Sequence, residues 1–228
     1  MSHILENGAI LDLVRQHDAG GRRLDYSDGQ AVFEPKDPAT DLFVVESGEI
    51  RLFEVAPQGA RRLLDILGPE RCFGFASIGR IPAYEKLAVS VGDSAVRAIP
   101  ADRLREILLS HGEIAMSFAE NMARELHEAW SEGSHFVFED CRLRLIKTLL
   151  RFSQSPAARI VPEGIELHMT HAQLAQAVGA ARETVSLCLT QLRQENLVRT
   201  SRNRVVYDPN RLRQIVPNDF AAELALAG

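Results

Sequence analysis

From about Gly21 to Pro100 apolar and polar residues alternate in short runs separated by turn formers. The alternation is clearest in Ile50-Arg51-Leu52-Phe53-Glu54-Val55 and in Val89-Ser90-Val91, and a period of two puts successive side chains on opposite faces of a strand. Strands are predicted at Ala31–Glu34, Leu42–Glu46, Glu49–Val55, Arg61–Leu67, Lys86–Val91 and Ala95–Ile99. Asp28-Gly29, Asp37-Pro38, Ser47-Gly48, Pro57-Gln58-Gly59, Gly68-Pro69 and Gly92-Asp93 read as the turns between them. Short strands at this spacing predict a small antiparallel barrel or roll.

At Pro100 the period changes. Ala101–Leu109 has helical spacing, and a longer helical stretch is expected from about Glu113 to Val137. Its apolar or small positions, Met116, Ala119, Ala123, Leu126, Trp130, Gly133 and Val137, recur at steps of three and four. They form one narrow seam on a charged rod. Such a seam, with small residues at three positions, predicts pairing with a second copy of the chain; packing onto its own roll is the alternative. Phe138-Glu139-Asp140 reads as a hinge, with Phe138 and Asp140 as its ends. A further helix, Cys141–Phe152, precedes a loop holding Ser153, Ser155, Pro156 and Pro162-Glu163-Gly164, and Asn218–Gly228 reads as a short helix or frayed tail. The organisation expected is a roll over 1–110, a dimerisation helix over 111–138 and a third part over 139–228.

That third part holds the most informative stretch. Thr170 followed by Gln173 is a capping box. Leu174, Ala175 and Val178 form the inner face of a short helix, and Gly179 sits where the chain must leave it. Three residues later a second amphipathic helix starts, with Val185, Leu189 and Leu192 inward and Arg182, Glu183 and Ser186 outward. This is the helix-turn-helix pattern, an αα-hairpin with a capping Arg-Glu pair being the alternative. The second helix would lie in the major groove, where arginine bonds guanine O6 and N7 and a carboxylate accepts from cytosine N4. Leu197–Tyr207 reads as a two-stranded wing whose Arg199, Arg202 and Arg204 face the sugar-phosphate backbone.

Composition fits an ordinary globular chain, 46% apolar and 25% charged. The net charge of −5 hides a division. Residues 1–140 carry 14 Lys+Arg against 24 Asp+Glu, whereas residues 141–228 carry 12 against 7. Only the second part has the sign that phosphate attracts. No apolar run is long enough to span a membrane and no secretory leader is evident at the N-terminus, so a cytoplasmic location is expected. Cys72, Cys141 and Cys188 form no CxxC pair, and reduced, partly buried thiols are expected in place of a disulfide or metal site. Cys188, inside the second helix, is a candidate for redox control. No histidine lies between Arg22 and Pro100, which argues against a metal-dependent enzyme built in the roll. No Gly-x-Ser-x-Gly elbow appears either, so no enzymatic activity is expected.

The chain resembles the family of the catabolite activator protein and the fumarate-nitrate reduction regulator. The resemblance runs from about Leu24 to Pro209 through Leu42-Phe43-Val44-Val45-Glu46-Ser47-Gly48-Glu49-Ile50, Cys72-Phe73-Gly74, Ile99-Pro100 and Asn121-Met122-Ala123-Arg124-Glu125-Leu126. It continues through Asp140 and the run from Thr170 to Arg182-Glu183-Thr184-Val185-Ser186. It implies an α+β fold: a cyclic-nucleotide-binding-like β-roll (jelly roll), a long dimerisation helix and a C-terminal winged helix-turn-helix. It implies a homodimer on double-stranded DNA with an inverted-repeat operator, contact with RNA polymerase, base reading by Arg182, Glu183 and Ser186, and phosphates near Thr170 and Thr184. The family's second arginine after Ser186 is Leu187 here. In the roll, Phe75 stands where a cAMP-binding member has an acid, and Lys86-Leu87 where it has Arg-Ser; Trp130 would fill space for the base. cAMP is therefore not expected. Three scattered cysteines cannot ligate an iron–sulfur cluster, and only Cys72, His127 and His135 are candidate haem ligands, so no cofactor is expected. The alternative reading is a cyclic-nucleotide or other small-ligand-binding regulatory module acting on a protein partner.

Overall fold

A computed structural model describes residues 20–116, 118–120, 122–123, 126 and 140–216. The chain divides into two compact units. The first is built on strands β1 (Arg22–Tyr26), β2 (Ala31–Phe33), β3 (Asp41–Val55), β4 (Arg61–Leu67), β5 (Cys72–Phe73) and β6 (Leu87–Pro100). They form one sheet in the order β1-β6-β3-β4, with β2 also on β6 and β5 on β3.

Two expected turns lie inside strands. β3 runs through Ser47-Gly48 and β6 through Gly92-Asp93, and the two pair antiparallel from Asp41↔Pro100 to Phe53↔Leu87. The register breaks between Val45 and Glu49, so these dipeptides bend a continuous ribbon instead of ending it. Gly48 has φ +84° and approaches Asp93 so closely that a Cβ would stand 2.7 Å from its carbonyl oxygen. Ser94 Oγ closes the gap, accepting from Glu49 N and donating to Glu49 O, both at 3.1 Å. β1 and β5 escape prediction for a simple reason: the first is a mostly exposed polar edge and the second is two residues long.

The run Leu42-Phe43-Val44-Val45 is buried throughout, because β3 is covered on both faces. Leu42 and Val44 join Cys72, Ile99, Leu104 and Ile107, whereas Phe43 and Val45 join Phe33, Phe73, Tyr84 and Ile50. In the second cluster the rings of Phe33 and Tyr84 stack at 4.0 Å and those of Phe43 and Phe73 at 5.2 Å. Helix α1 (Ala101–Ser110) leaves Pro100 and buries Ala101, Leu104 and Ile107 on its inner side.

Helical residues follow at 112–116, 118–120, 122–123 and 126. Ala119 and Ala123 are exposed, as are Met116 and Leu126. Of the other seam and hinge residues, Trp130, Gly133, Val137 and Phe138 lie outside the described residues, as do His127 and His135 and the tail Asn218–Gly228.

The second unit opens with α2 (Cys141–Phe152), capped by Asp140, whose carboxylate accepts from Leu143 N at 2.8 Å. Then come β7 (Ala158–Val161), β8 (Gly164–Leu167), α3 (His171–Val178), α4 (Arg182–Gln194), β9 (Val198–Ser201), β10 (Arg204–Tyr207) and α5 (Pro209–Arg213). The expected loop around Pro162-Glu163-Gly164 is a hairpin turn between β7 and β8. Those strands join the wing in a sheet of order β7-β8-β10-β9. β7 shows no alternation, since Arg159 and Ile160 are both exposed; it is an edge ordered by β8, which is itself registered on β10. Tyr207 fastens this sheet to α2, its hydroxyl donating to Leu149 O at 2.5 Å, and burial pushes that phenol's pKa up. No helix among the described residues is long and apolar enough to cross a membrane.

Candidate nucleic-acid interface

α3 begins as its sequence dictates. Thr170 Oγ1 accepts from Gln173 N at 3.2 Å, while Thr170 N donates to Gln173 Oε1 at 2.8 Å. The Thr170 hydroxyl, expected near phosphate, is thereby committed to the cap. Gly179 ends the helix in the left-handed region, φ 67° and ψ 42°, where a glycine carries no Cβ penalty. Ala180 and Ala181 complete the turn, and α4 starts at Arg182.

α4 divides into two faces. Val185, Leu189 and Leu192 are at most 1% exposed; burying each contributes about 1.5–3 kcal/mol. That packing, together with α2 and α3, holds the helix rigidly. On the outer side of its first turn stand Arg182, Glu183 and Thr184, all exposed, and Leu187 follows at 60% exposure. An exposed guanidinium, carboxylate and isobutyl group one turn apart can meet base edges of all three chemical kinds. Ser186 differs from this expectation. It is half-buried, and His171 Nδ1 lies 2.9 Å from its Oγ. Burial, and then the charge of Arg182, lower the His171 pKa below the ordinary histidine value.

The three wing arginines are not equivalent. Arg202 occupies the turn between β9 and β10, and both it and Arg199 are exposed. Arg204 Nη1 is 3.3 Å from Glu166 Oε2, and His168 Nε2 is 2.6 Å from the other oxygen of that carboxylate. A phosphate at Arg204 would therefore compete with Glu166.

Cys188 is buried on the inner side of α4. Cys141, at the start of α2, is its neighbour, and burial, with that neighbour, pushes its pKa up to about 11. None of the three cysteines is in a disulfide, and Cys72 is packed in the roll. The pairing of Cys141 and Cys188, 47 positions apart in the chain, gave no signal in the sequence.

In the roll, Phe75 packs against the Leu42–Ile107 cluster, with its ring 6.3 Å from that of Phe118. Lys86 Nζ is 3.7 Å from Glu54 Oε1. The position that should hold an acid is thus a partly buried aromatic ring packed on the core, and the cation that should meet a cyclic phosphate faces a carboxylate. These residues do not fit cAMP.

Comparison with known proteins bears on both units. A Crp-like helix-turn-helix domain model matches residues 143–215 and a cyclic nucleotide-binding domain model matches residues 23–111. The chain is 30% identical over 215 residues to the CRP-like cAMP-activated global transcriptional regulator of Mycobacterium tuberculosis, covering 91% of this chain and 92% of that one. It is 32% identical over 178 residues to the cyclic AMP receptor protein of Thermus thermophilus, covering 78% and 79%. Among solved structures, the c-di-GMP responsive global regulator CLP of Xanthomonas campestris shares the fold, with a TM-score of 0.75 at 22% identity over 87% of this chain and 99% of that one.

Proposed function

The chain belongs to the family of CRP-like transcriptional regulators, and from that premise we propose that it acts as a homodimer on an inverted-repeat operator. It is a transcription regulator that binds DNA through its helix-turn-helix. The proposal assigns Arg182, Glu183 and Ser186 to base edges in the major groove, with Leu187 against a thymine methyl. Thr184, the backbone at Thr170, Arg199 and Arg202 face phosphates, and Arg204 joins them only by leaving Glu166. The observation that carries this is the first turn of α4, whose polar side chains stand clear of protein while the helix beneath them is immobilised by buried leucine and valine.

Met116, Ala119, Ala123 and Leu126, all exposed, are the described part of the surface proposed to pair with a second copy; the sequence seam also includes Trp130, Gly133 and Val137, which lie outside the described residues. Pairing sets the two recognition helices about one DNA turn apart. A signal in the roll changes that pairing through Phe138 and Asp140. Because the cAMP contacts are missing, the proposed effector makes other contacts in the roll, and calorimetry with cAMP and cGMP should give no binding heat. The protein acts in the cytoplasm alongside RNA polymerase and catalyses no reaction of its own. Selection of bound duplexes from random DNA tests the reading directly: an enriched palindrome is expected, and none under any ligand or redox condition would reject it. Sedimentation tests the dimer, which a stable monomer at micromolar concentration would exclude.

A second reading of the control step is favoured by the Cys141–Cys188 contact. Hydrogen peroxide would oxidise the half-exposed Cys141 to a sulfenic acid, releasing water. Attack by the Cys188 sulfur would then form a disulfide and release a second water. Thiol titration after peroxide treatment, with Cys141→Ser as control, tests this; unchanged free thiols would remove it.

A further inference from the structure

His171 is the first residue of α3, and its ring reaches across to Ser186 on α4. A serine inside a helix ordinarily returns its proton to the carbonyl four residues back. Ser110, Thr148 and Thr190 in this chain do so, to Glu106 O, Arg144 O and Ser186 O. Ser186 makes no such bond among the described residues; its Oγ contacts the His171 ring instead.

We propose that His171 is a positioning residue that fixes the hydrogen-bonding polarity of Ser186 and so decides which base is accepted opposite it. The proposal rests on the assignment of Ser186 as a base reader made above. A hydroxyl owns one proton. When Nδ1 accepts that proton, only lone pairs remain to face the groove. Ser186 then takes a hydrogen bond from the amino group of adenine or cytosine and offers nothing to guanine O6 or thymine O4. When Nδ1 carries a proton, the ring becomes the donor and the Ser186 hydroxyl is released to donate outward, which favours guanine or thymine.

The surroundings keep the ring neutral at neutral pH, and its Nε2–H tautomer leaves Nδ1 as the acceptor the first state requires. Arg182 on α4 is the charged group that acts on the ring, and desolvation adds to its effect. Both disfavour the imidazolium. α3 itself, His-Ala-Gln-Leu-Ala-Gln-Ala-Val, supplies no carboxylate to oppose them. Base choice at this position therefore depends on pH, although Ser186 itself does not titrate.

The test uses the full-length protein and a panel of duplexes in which each half-site position of the selected operator carries all four base pairs. At about pH 8, Ser186→Ala should change the preference at one position by roughly three- to tenfold, the weight of one hydrogen bond. His171→Ala should change that position alone, and the double variant should match Ser186→Ala. His171→Asn, whose side-chain oxygen replaces Nδ1 as acceptor, should keep the wild-type preference and lose its pH dependence. As the pH is lowered through the His171 pKa, which lies below the ordinary histidine value, wild type should shift toward guanine or thymine at this position only. If Ser186→Ala alters no position, the base-reading assignment fails and the proposal falls with it. If Ser186→Ala acts but His171→Ala weakens every duplex equally, the base reader stands and His171 is merely a backbone contact.

Discussion

The two units use the same charged residues in opposite ways. In the roll, Arg51 Nε bonds Glu49 Oε1 at 2.6 Å, Arg97 Nε bonds Glu46 Oε1 at 2.6 Å, and Lys86 faces Glu54. There, arginine and glutamate lie within one strand or on paired strands of the sheet. In the helix-turn-helix unit, Arg182, Glu183, Arg199 and Arg202 are exposed at a helix start, a strand and a hairpin turn. Net charge marks the basic unit but not which of its charges stay available to a partner. Among the described residues Arg182, Glu183, Arg199 and Arg202 stand exposed, whereas Arg204 with Glu166 shows that the basic unit also neutralises some of its own cations.

The strongest test of this contrast is to unfix each scaffold. Leu189 and Phe73 are each 1% exposed, so Leu189→Ala and Phe73→Ala should each cost about 2–5 kcal/mol in denaturant unfolding. Only Leu189→Ala should abolish operator preference in the fraction still folded; equal loss in both would erase the division of labour. Glu183→Ala comes next: it should relax preference at one base pair by about 1–3 kcal/mol while leaving random-duplex affinity unchanged. Arg202→Ala should weaken all duplexes alike and lower the salt slope by about one, and Arg204→Ala should do less, as measured by binding at several salt concentrations. The smallest effect concerns Cys188. Its folded pKa, about 11, exceeds the thiol reference of 9.0, so its contribution to stability is intact below pH 9. It should fall as pH rises toward 11, because the unfolded thiol ionises first. Cys188→Ser should remove that slope from pH-dependent denaturation curves.

The local features of the DNA-binding element were legible because each is written within a few residues. Thr170 with Gln173, the left-handed Gly179, and Val185, Leu189 and Leu192 all appear where their spacing puts them. Two expectations in the sheets failed for one shared reason. Ser47-Gly48 has the composition of a turn yet bends a paired ribbon, and Ala158–Val161 lacks a strand period yet is held by β8.

By itself the sequence determined the strand-rich first part and the helix-turn-helix with its wing, the inner faces of α3 and α4, and the residues on the outer side of α4's first turn. Periodicity and capping act over three or four positions, and hydrophobic burial enforces them wherever the chain folds. Tertiary structure alone decided that His171 meets Ser186, that Cys141 meets Cys188, and that Glu166 holds Arg204. These pairs are 15 to 47 positions apart, and no local period relates them. They arise only once the packed core has brought separate elements within a few ångströms, where a single hydrogen bond can form.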